Sequence, residues 1–402
     1  MISHYVPVIS SNLTIILTTS PTPSTPSTDL LASILSSFHT HCPILLQCNI
    51  IVVLDTFERI SPVLRLKKGQ ATPELAAAYE TYKAKTKALF LHQWPGPNGL
   101  CPTGLYRNTP SPHISIDIAE YGSPGQAHTS VTLDITEYLA AGVTLIEPRE
   151  RLGFGLSVRS ALRRVTTPYV WVQQHDWALD APIPVNAIVR VMHANHLCEH
   201  APIRYVCLPS VRMVGYAASM LAVKHPMLRQ LTEKLKGNYS QVAVGKEEEV
   251  IEDTEERRKA MVGERVSLTP MFFWHDKTHI ASTEHYKQRV FPSRLAMPRG
   301  AFIEDTIGHR ARDQMKAGDF TKWATWLYYP KDGQQLCLRH LDGRMWKGME
   351  AEAVLQKGYM HAKAVTAQKR AEEAERNRKR DGRGDEEISA ELLWVGSDIR
   401  MG

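Results

Sequence analysis

Three acidic positions in this 402-residue chain stand where an apolar run gives way to a loop. Asp55 closes Asn49-Ile-Ile-Val-Val-Leu-Asp55, Asp176 closes Pro168-Tyr-Val-Trp-Val-Gln-Gln-His-Asp176, and Glu304-Asp305 follows Gly300-Ala-Phe-Ile. In an open parallel sheet, ligands bind outside the carboxyl ends of the strands, so acids at those ends are predicted to share one crevice. Carboxylates placed there can take a proton from a hydroxyl or hold a divalent cation. Gln173, Gln174 and His175 beside Asp176 make its strand end polar and predict a ligand-facing role. Each acid also has a plainer reading: Asp55 as a turn residue, Glu304-Asp305 as acids suited to the positive start of a helix. His275-Asp276 and His279 read as a surface turn before a helix. Trp171 reads as core, while Trp177 could stack on a sugar or base.

The elements that would position these acids follow from periodicity. Leu13-Thr-Ile-Ile-Leu-Thr-Thr19 is a β-branched, apolar strand, and Ser20-Pro-Thr-Pro-Ser-Thr-Pro26 is a loop that proline bars from helix or central strand. A helix capped by Ser27 or Thr28, with Leu30, Leu31, Ile34, Leu35 and Phe38 on one side, leads to the strand ending at Asp55. Continuous apolar strands joined by a helix predict a parallel βαβ unit covered on both faces. Residues 56–142 read as an insertion with a helix over 73–92 and short, paired strands at 113–118 and 130–135. Beyond it the spacing predicts strands at 143–146, 168–176 and 205–208 and helices over 156–165 and 185–192. Residues 237–263 read as a polar loop, 269–274 as core, 280–289 as helix, and 306–316 as helix. Trp326 to Leu338 reads as a hairpin turning at Asp332-Gly333, and 351–380 as an exposed charged helix. The expected fold is α/β: one unit over 11–345 in three layers around a mostly parallel sheet, with the C-terminal hairpin, and a charged helical extension over 346–402.

Four stretches, in order, carry a resemblance. They are Thr18-Thr-Ser-Pro21 after the first strand, Ile51-Val-Val-Leu-Asp55, the run from Gly153-Phe-Gly-Leu-Ser-Val-Arg159 to Asp176, and Arg299-Gly-Ala-Phe-Ile-Glu-Asp-Thr306. Over about residues 13–316 the chain resembles GT-A-fold glycosyltransferases of family 2. The resemblance implies a nucleotide-diphosphate-sugar donor held by Thr18, Thr19, Ser20, Pro21, Asp55, Gly155, Arg159, Gln174, His175 and Asp176. It implies a divalent cation, Mn2+ or Mg2+, at Asp176, and inverting transfer to a hydroxyl acceptor. Asp305 would be the general base, and Glu304 would orient the acceptor or tune its neighbour. His309 and Arg310 join Arg159 as weaker candidates for phosphate contact. The sequence departs from the family's D-x-D, because Gln174-His175-Asp176 puts an amide where a carboxylate is expected. A single carboxylate with substrate phosphates and waters can still hold Mg2+, and His175 could add an imidazole ligand to Mn2+.

Composition narrows the alternatives. The 48 basic against 42 acidic residues give a net charge of only +6, and no basic-aromatic repeat points to nucleic acid. Six scattered cysteines without a C-x-x-C pair argue against a structural zinc site and a disulfide framework. No apolar run reaches the length of a transmembrane helix, so the expected location is cytoplasmic. Two other functions fit less well. A sugar-phosphate nucleotidyltransferase would need a glycine-rich basic loop where Ser20-Pro-Thr-Pro stands, and a catalytically silent nucleotide-sugar-binding protein would account for the missing acid.

Overall fold

The computed structural model describes residues 9–62, 69–99, 111–122, 129–240, 265–293 and 296–343, with isolated positions at 346, 348, 350, 354 and 372. The predicted charged helix over 351–380, and the part of the polar loop beyond residue 240 up to 263, lie outside these residues except for isolated positions. In chain order the helices are α1 (Ile9–Asn12), α2 (Asp29–His41), α3 (Pro73–Gln93), α4 (Phe154–Leu162), α5 (Val185–Asn195), α6 (Met220–Lys224), α7 (Pro226–Leu235), α8 (Thr283–Arg289), α9 (His309–Lys316) and α10 (Phe320–Trp323). The strands are β1 (Leu13–Thr19), β2 (Asn49–Leu54), β3 (Arg59–Ile60), β4 (Gln70–Ala71), β5 (His113–Tyr121), β6 (Thr129–Tyr138), β7 (Val143–Pro148), β8 (Tyr169–Gln174), β9 (Trp177–Leu179), β10 (Tyr205–Cys207), β11 (Gly237–Tyr239), β12 (Val266–Pro270), β13 (His279–Ser282), β14 (Thr325–Tyr328) and β15 (Leu338–His340).

Eleven strands form one sheet in the order β11-β12-β14-β10-β13-β8-β1-β2-β7-β6-β5. All run the same way except β6, β12 and β13, so the sheet is mostly parallel. β1 is buried at all seven positions, as its unbroken β-branched and leucine run requires of a strand covered on both faces. It lies between β2 and β8 and pairs in parallel with both, residue by residue from Thr14 to Thr19 on one side and Leu13 to Thr18 on the other. α4 packs on β1 and β2, and α3 on β7. The α2 face predicted from spacing is the buried one: Leu30, Leu31, Ile34, Leu35 and Phe38 are all in the core.

The insertion is part of this sheet. β5 and β6 form an antiparallel hairpin that extends the sheet edge beyond β7, and α3 turns Tyr79, Tyr82, Thr86 and Phe90 inward. Three readings of the sequence need correction. The predicted hairpin over 326–338 does not form: β14 pairs with β10 and β12, whereas β15 pairs with β9 in a separate two-stranded sheet. Residues 330–333 are a tight turn that redirects the chain. The helix over 280–289 begins three residues later, because His279–Ser282 is spent on strand β13, and Ser282 then caps α8 by accepting from His285 N. Gly237–Tyr239, read as loop, pairs with β12 as β11 at the sheet edge.

Candidate functional site

After β1 the chain moves to β2 and then β7 on one side, and β8 joins β1 on the other, so the strand order reverses between β1 and β8. Such a switch point opens a crevice at the carboxyl ends of the strands. A cavity of about 460 Å³ is found there, lined by the chain from Thr18 to Pro23 after β1, Asp55 after β2, and Gln174, His175 and Asp176 at the end of β8. Arg151, Gly153, Phe154, Ser157 and Phe302 contribute further wall, and Gly343 closes in over the β8 end. Its volume is within the range of small-molecule sites, about 300–1,000 Å³.

The β1 and β8 ends are stitched together. His175 N donates to Thr18 O at 3.1 Å. Ser20 N lies 3.3 Å from His175 Nδ1 and can only donate, so Nδ1 is the acceptor and the ring hydrogen sits on Nε2. Thr19 Oγ1, 2.8 Å from the same nitrogen, then donates to it and accepts from Tyr82 OH at 2.6 Å. Burial holds the His175 imidazole below its ordinary pKa, against the pull of Asp176. With Nδ1 taken and Nε2 protonated, His175 is not set up as a metal ligand.

Asp55 is 7% exposed, and both of its oxygens are engaged: Oδ1 accepts from Leu152 N at 2.7 Å and Oδ2 from Gly153 N at 2.9 Å. Burial raises its pKa, against the pull of these amides. Its backbone carbonyl accepts from Tyr79 OH. Asp55 thus clamps the loop before α4 and offers a ligand only its remaining acceptor capacity. That loop is glycine-dependent: Gly153 has φ +82°, and a Cβ on it would lie 2.5 Å from Gly300 Cα. Gly300 N in turn donates to Leu152 O at 2.7 Å. Gly155 does not line the cavity; its missing Cβ makes room for Met297, and its amide bonds Ala301 O at 3.1 Å.

Asp176 has one oxygen engaged and one not. Oδ2 lies 3.3 Å from His340 Nε2, while Oδ1 is buried with no hydrogen-bond partner among the described residues. Burial pushes its pKa up, but the His340 bond and the neighbouring His175 win and hold it below the ordinary carboxylate range. Leu341 N bonds Asp176 O at 2.7 Å, and β15 pairs with β9, so the 338–343 segment is laid against this end of the cavity. Gln174, the amide in the expected acid position, spends its Nε2 on Asp276 O at 2.9 Å. Among the described residues no group of three or more His, Cys, Asp or Glu side chains is arranged to hold a metal ion.

Glu304 and Asp305 are not among the cavity's lining residues. They open a π-helical turn, Glu304–Gly308, a form that recurs at functional positions. Glu304 and Asp276 grip each other: Asp276 N donates to Glu304 Oε2 at 3.3 Å and Glu304 N to Asp276 Oδ1 at 3.2 Å. His275 Nδ1 stands 3.5 Å from the same Glu304 oxygen and, with the Asp276 amide, lowers the Glu304 pKa. Burial and the adjacent Glu304 raise Asp276 well above the carboxylate range. The cluster abuts the cavity through Gln174. Asp305 is exposed, with no partner among the described residues.

The structure therefore brings Thr18, Thr19, Ser20, Pro21, Asp55, Gln174, His175 and Asp176 to one cavity, and places Gly155, Arg159, Glu304 and Asp305 outside its lining. Arg159 reaches the sheet edge, donating to Glu120 O at 2.7 Å, and the cation on the cavity wall is Arg151. Arg310 stacks on Trp323 and His309 meets Phe273 edge-on. The residues read as a surface turn are not one: Asp276 is 3% exposed and His279 fully buried. Trp171 is core, as its neighbours implied. Sequence reasoning passed over Arg151, Tyr82 and His340. Arg151 precedes the Gly153 break and could have been noticed; the His340 contact spans 164 positions and leaves no local signal.

No family model matches the chain, and no curated protein does. Among solved structures, one described as the mannosyltransferase PcManGT from Pyrobaculum calidifontis in complex with GDP-Man and Mn2+ matches at 12% identity and a TM-score of 0.33. The match covers 80% of this chain and 58% of that one. At that identity and score the likeness leaves the family open.

Proposed function

We propose that the chain is a glycosyltransferase that moves a sugar from a nucleotide-diphosphate-sugar to a hydroxyl acceptor, with residues 11–345 as the catalytic unit. The observation that carries this reading is the cavity at the β1–β8 switch point, where Asp176 keeps a buried carboxylate oxygen without a partner among the described residues. Thr18 to Pro23 run along the cavity as a glycine-free strand-end loop, suited to the nucleoside, with Asp55 behind it. The donor diphosphate would lie towards Asp176. A divalent ion, Mn2+ or Mg2+, fits this donor set in part: Asp176 supplies one carboxylate, and His340 can add Nε2 where Gln174 cannot add an acid. Phosphate oxygens and water would complete the shell, and the ion would supply charge stabilisation of the departing diphosphate.

Arg151, on the cavity wall, is the cationic side chain nearest to that task. Proton removal from the acceptor needs a carboxylate that is free. Glu304 is held by His275 and the Asp276 amide, so its role would be to orient; Asp305, exposed on the same turn, would be the base, with inversion the expected outcome of direct displacement assisted by such a base. The tied-up amide of Gln174 favours one alternative, a protein that binds nucleotide-sugars without turnover.

The test uses the full chain with a panel of nucleotide-sugars, with Mn2+ or Mg2+. One donor should raise the melting temperature by mass action and be slowly cleaved to free nucleotide, and Asp176→Ala should abolish both effects. Donor binding without any cleavage would favour the silent alternative; no shift with any donor would end the proposal.

A further inference from the structure

Outside the cavity, past Asp176, the ends of β8, β9 and β10 meet the 273–278 segment. Lys277 sits there half-buried, its Nζ donating to Ser210 Oγ at 2.9 Å and lying 5.6 Å from the centre of the Trp177 ring. Among the described residues no carboxylate is within ion-pair distance of Lys277. The nearby acids are engaged elsewhere, Glu304 by His275 at 3.5 Å and Asp176 by His340 at 3.3 Å. Arg212, in the turn Val211–Met213 just after Ser210, also has no ion-pair partner among them, and its charge helps to depress the Lys277 pKa, after burial.

Two cations close enough for one to act on the other's pKa, one of them drawn partly out of water, form an arrangement that an anion would relieve. A hydroxyl and an indole face solvate an ammonium without neutralising it. The Ser210 hydroxyl accepts from Lys277, which leaves its own hydrogen to donate, and the serine is 1% exposed. The backbone behind it is fixed, because Cys337 N and Leu338 N both bond Pro209 O at 3.0 Å. Trp177 ties the place to the cavity: its ring centre is 4.6 Å from that of His340, whose Nε2 meets Asp176.

We propose that Lys277, Ser210 and Arg212, beside the indole of Trp177, form an oxyanion subsite next to the cavity. It holds the phosphate or carboxylate of an anionic acceptor, with the indole as a platform for the acceptor's sugar or other ring. The anion site stands on its own contacts; its assignment to the acceptor rests on the proposed transferase function.

The experiment titrates the full chain with inorganic phosphate and, separately, with acetate, followed by calorimetry and melting temperature. Saturable binding of phosphate is expected if the natural group is a phosphate, and of acetate if it is a carboxylate. Lys277→Met should weaken that binding about tenfold or more, and Lys277→Arg should restore most of it. An unaltered melting temperature without anion checks that the Met variant folds; if it does not, Arg212→Ala gives the same reading with a smaller loss. Saturation by neither anion, or an affinity in Lys277→Met within twofold of the parent, overturns the subsite. Loss in Arg151→Met with Lys277→Met unaffected also overturns it, since the anion would then be in the cavity, where Arg151 is on the wall. Nucleotide-sugar binding measured on the same samples separates the two ideas. Lys277-dependent anion binding without donor binding would sink the transferase reading and leave the subsite, and the reverse result would do the opposite.

Discussion

Asp276 and Glu304 hold each other's backbone amides, and their surroundings push the two carboxyls in opposite directions. Burial and the facing carboxylate raise the Asp276 pKa, whereas the His275 and backbone donors lower that of Glu304. Environments that push two acids apart in this way assign them different duties. On the proposed function Asp276 would anchor the turn, Glu304 would orient the acceptor, and Asp305 has a carboxylate without a partner among the described residues. Asp305→Asn should therefore lower transfer by about 10²–10⁴-fold while donor affinity stays the same. Turnover equal to the parent in that variant would move the base elsewhere, with Glu304 the next to examine.

At the scale of elements, α4 does two jobs with its two ends. Its start is the Gly153 loop, where a left-handed φ and the approach of Gly300 leave no room for a side chain. Gly153→Ala should strain the backbone, loosen the Asp55 clamp and lower the melting temperature by several degrees, with donor affinity falling alongside it. An alanine variant that melts and binds like the parent would show that the loop relaxes freely. Further along, Arg159 and Arg163 donate to Glu120 O and Ile118 O, both at 2.7 Å, and so cover the outer edge of β5. That strand exposes Ile114, Ile116 and Ile118 at 71%, 65% and 50%, and among the described residues it is the last strand of the sheet, so an apolar face at a sheet edge would invite another strand if the arginines left it. Replacing both arginines by alanine should promote self-association, seen as a concentration-dependent increase in mass by light scattering. A strictly monodisperse double variant, unchanged from the parent, would show that the edge needs no cover.

At the scale of the whole molecule, buried histidines set the response to acid. Burial pushes His285 down to about 3 and His279 down to about 4. His285 Nε2 donates to Trp323 O at 2.9 Å and His279 Nδ1 donates to Lys277 O at 2.6 Å, so both rings are fixed as neutral donors. In the unfolded chain an imidazole takes a proton below about 6.5. Between that value and the depressed folded ones the unfolded state binds more protons, so stability falls as pH falls. Their contribution is complete above about pH 6.5 and is lost progressively below it. The melting temperature should drop by several degrees from pH 7 to pH 5, and His285→Gln should flatten the slope. A melting temperature that stays level over that range would contradict it.

Much of the scaffold was legible because burial writes itself into local pattern. An unbroken apolar run such as Leu13 to Thr19 can only be satisfied between two covered faces, and the polar residues that end such runs at Asp55 and Asp176 line the cavity at the strand ends. Short strands escaped notice, since three or four residues at β9, β11, β13 and β15 hold too little periodicity to separate strand from turn or helix. Only the tertiary structure decided which groups were free to act. Asp55 looked like a ligand residue until two backbone amides were found on its carboxylate, and Arg159 until it was seen capping the sheet edge. His340 and Lys277 drew no notice as site residues, because the partners that give them meaning, Asp176 and Ser210, lie more than sixty positions away. Residue type and strand position fix where chemistry can occur; whether a polar atom is spent or available depends on hydrogen bonds between segments that only folding brings together.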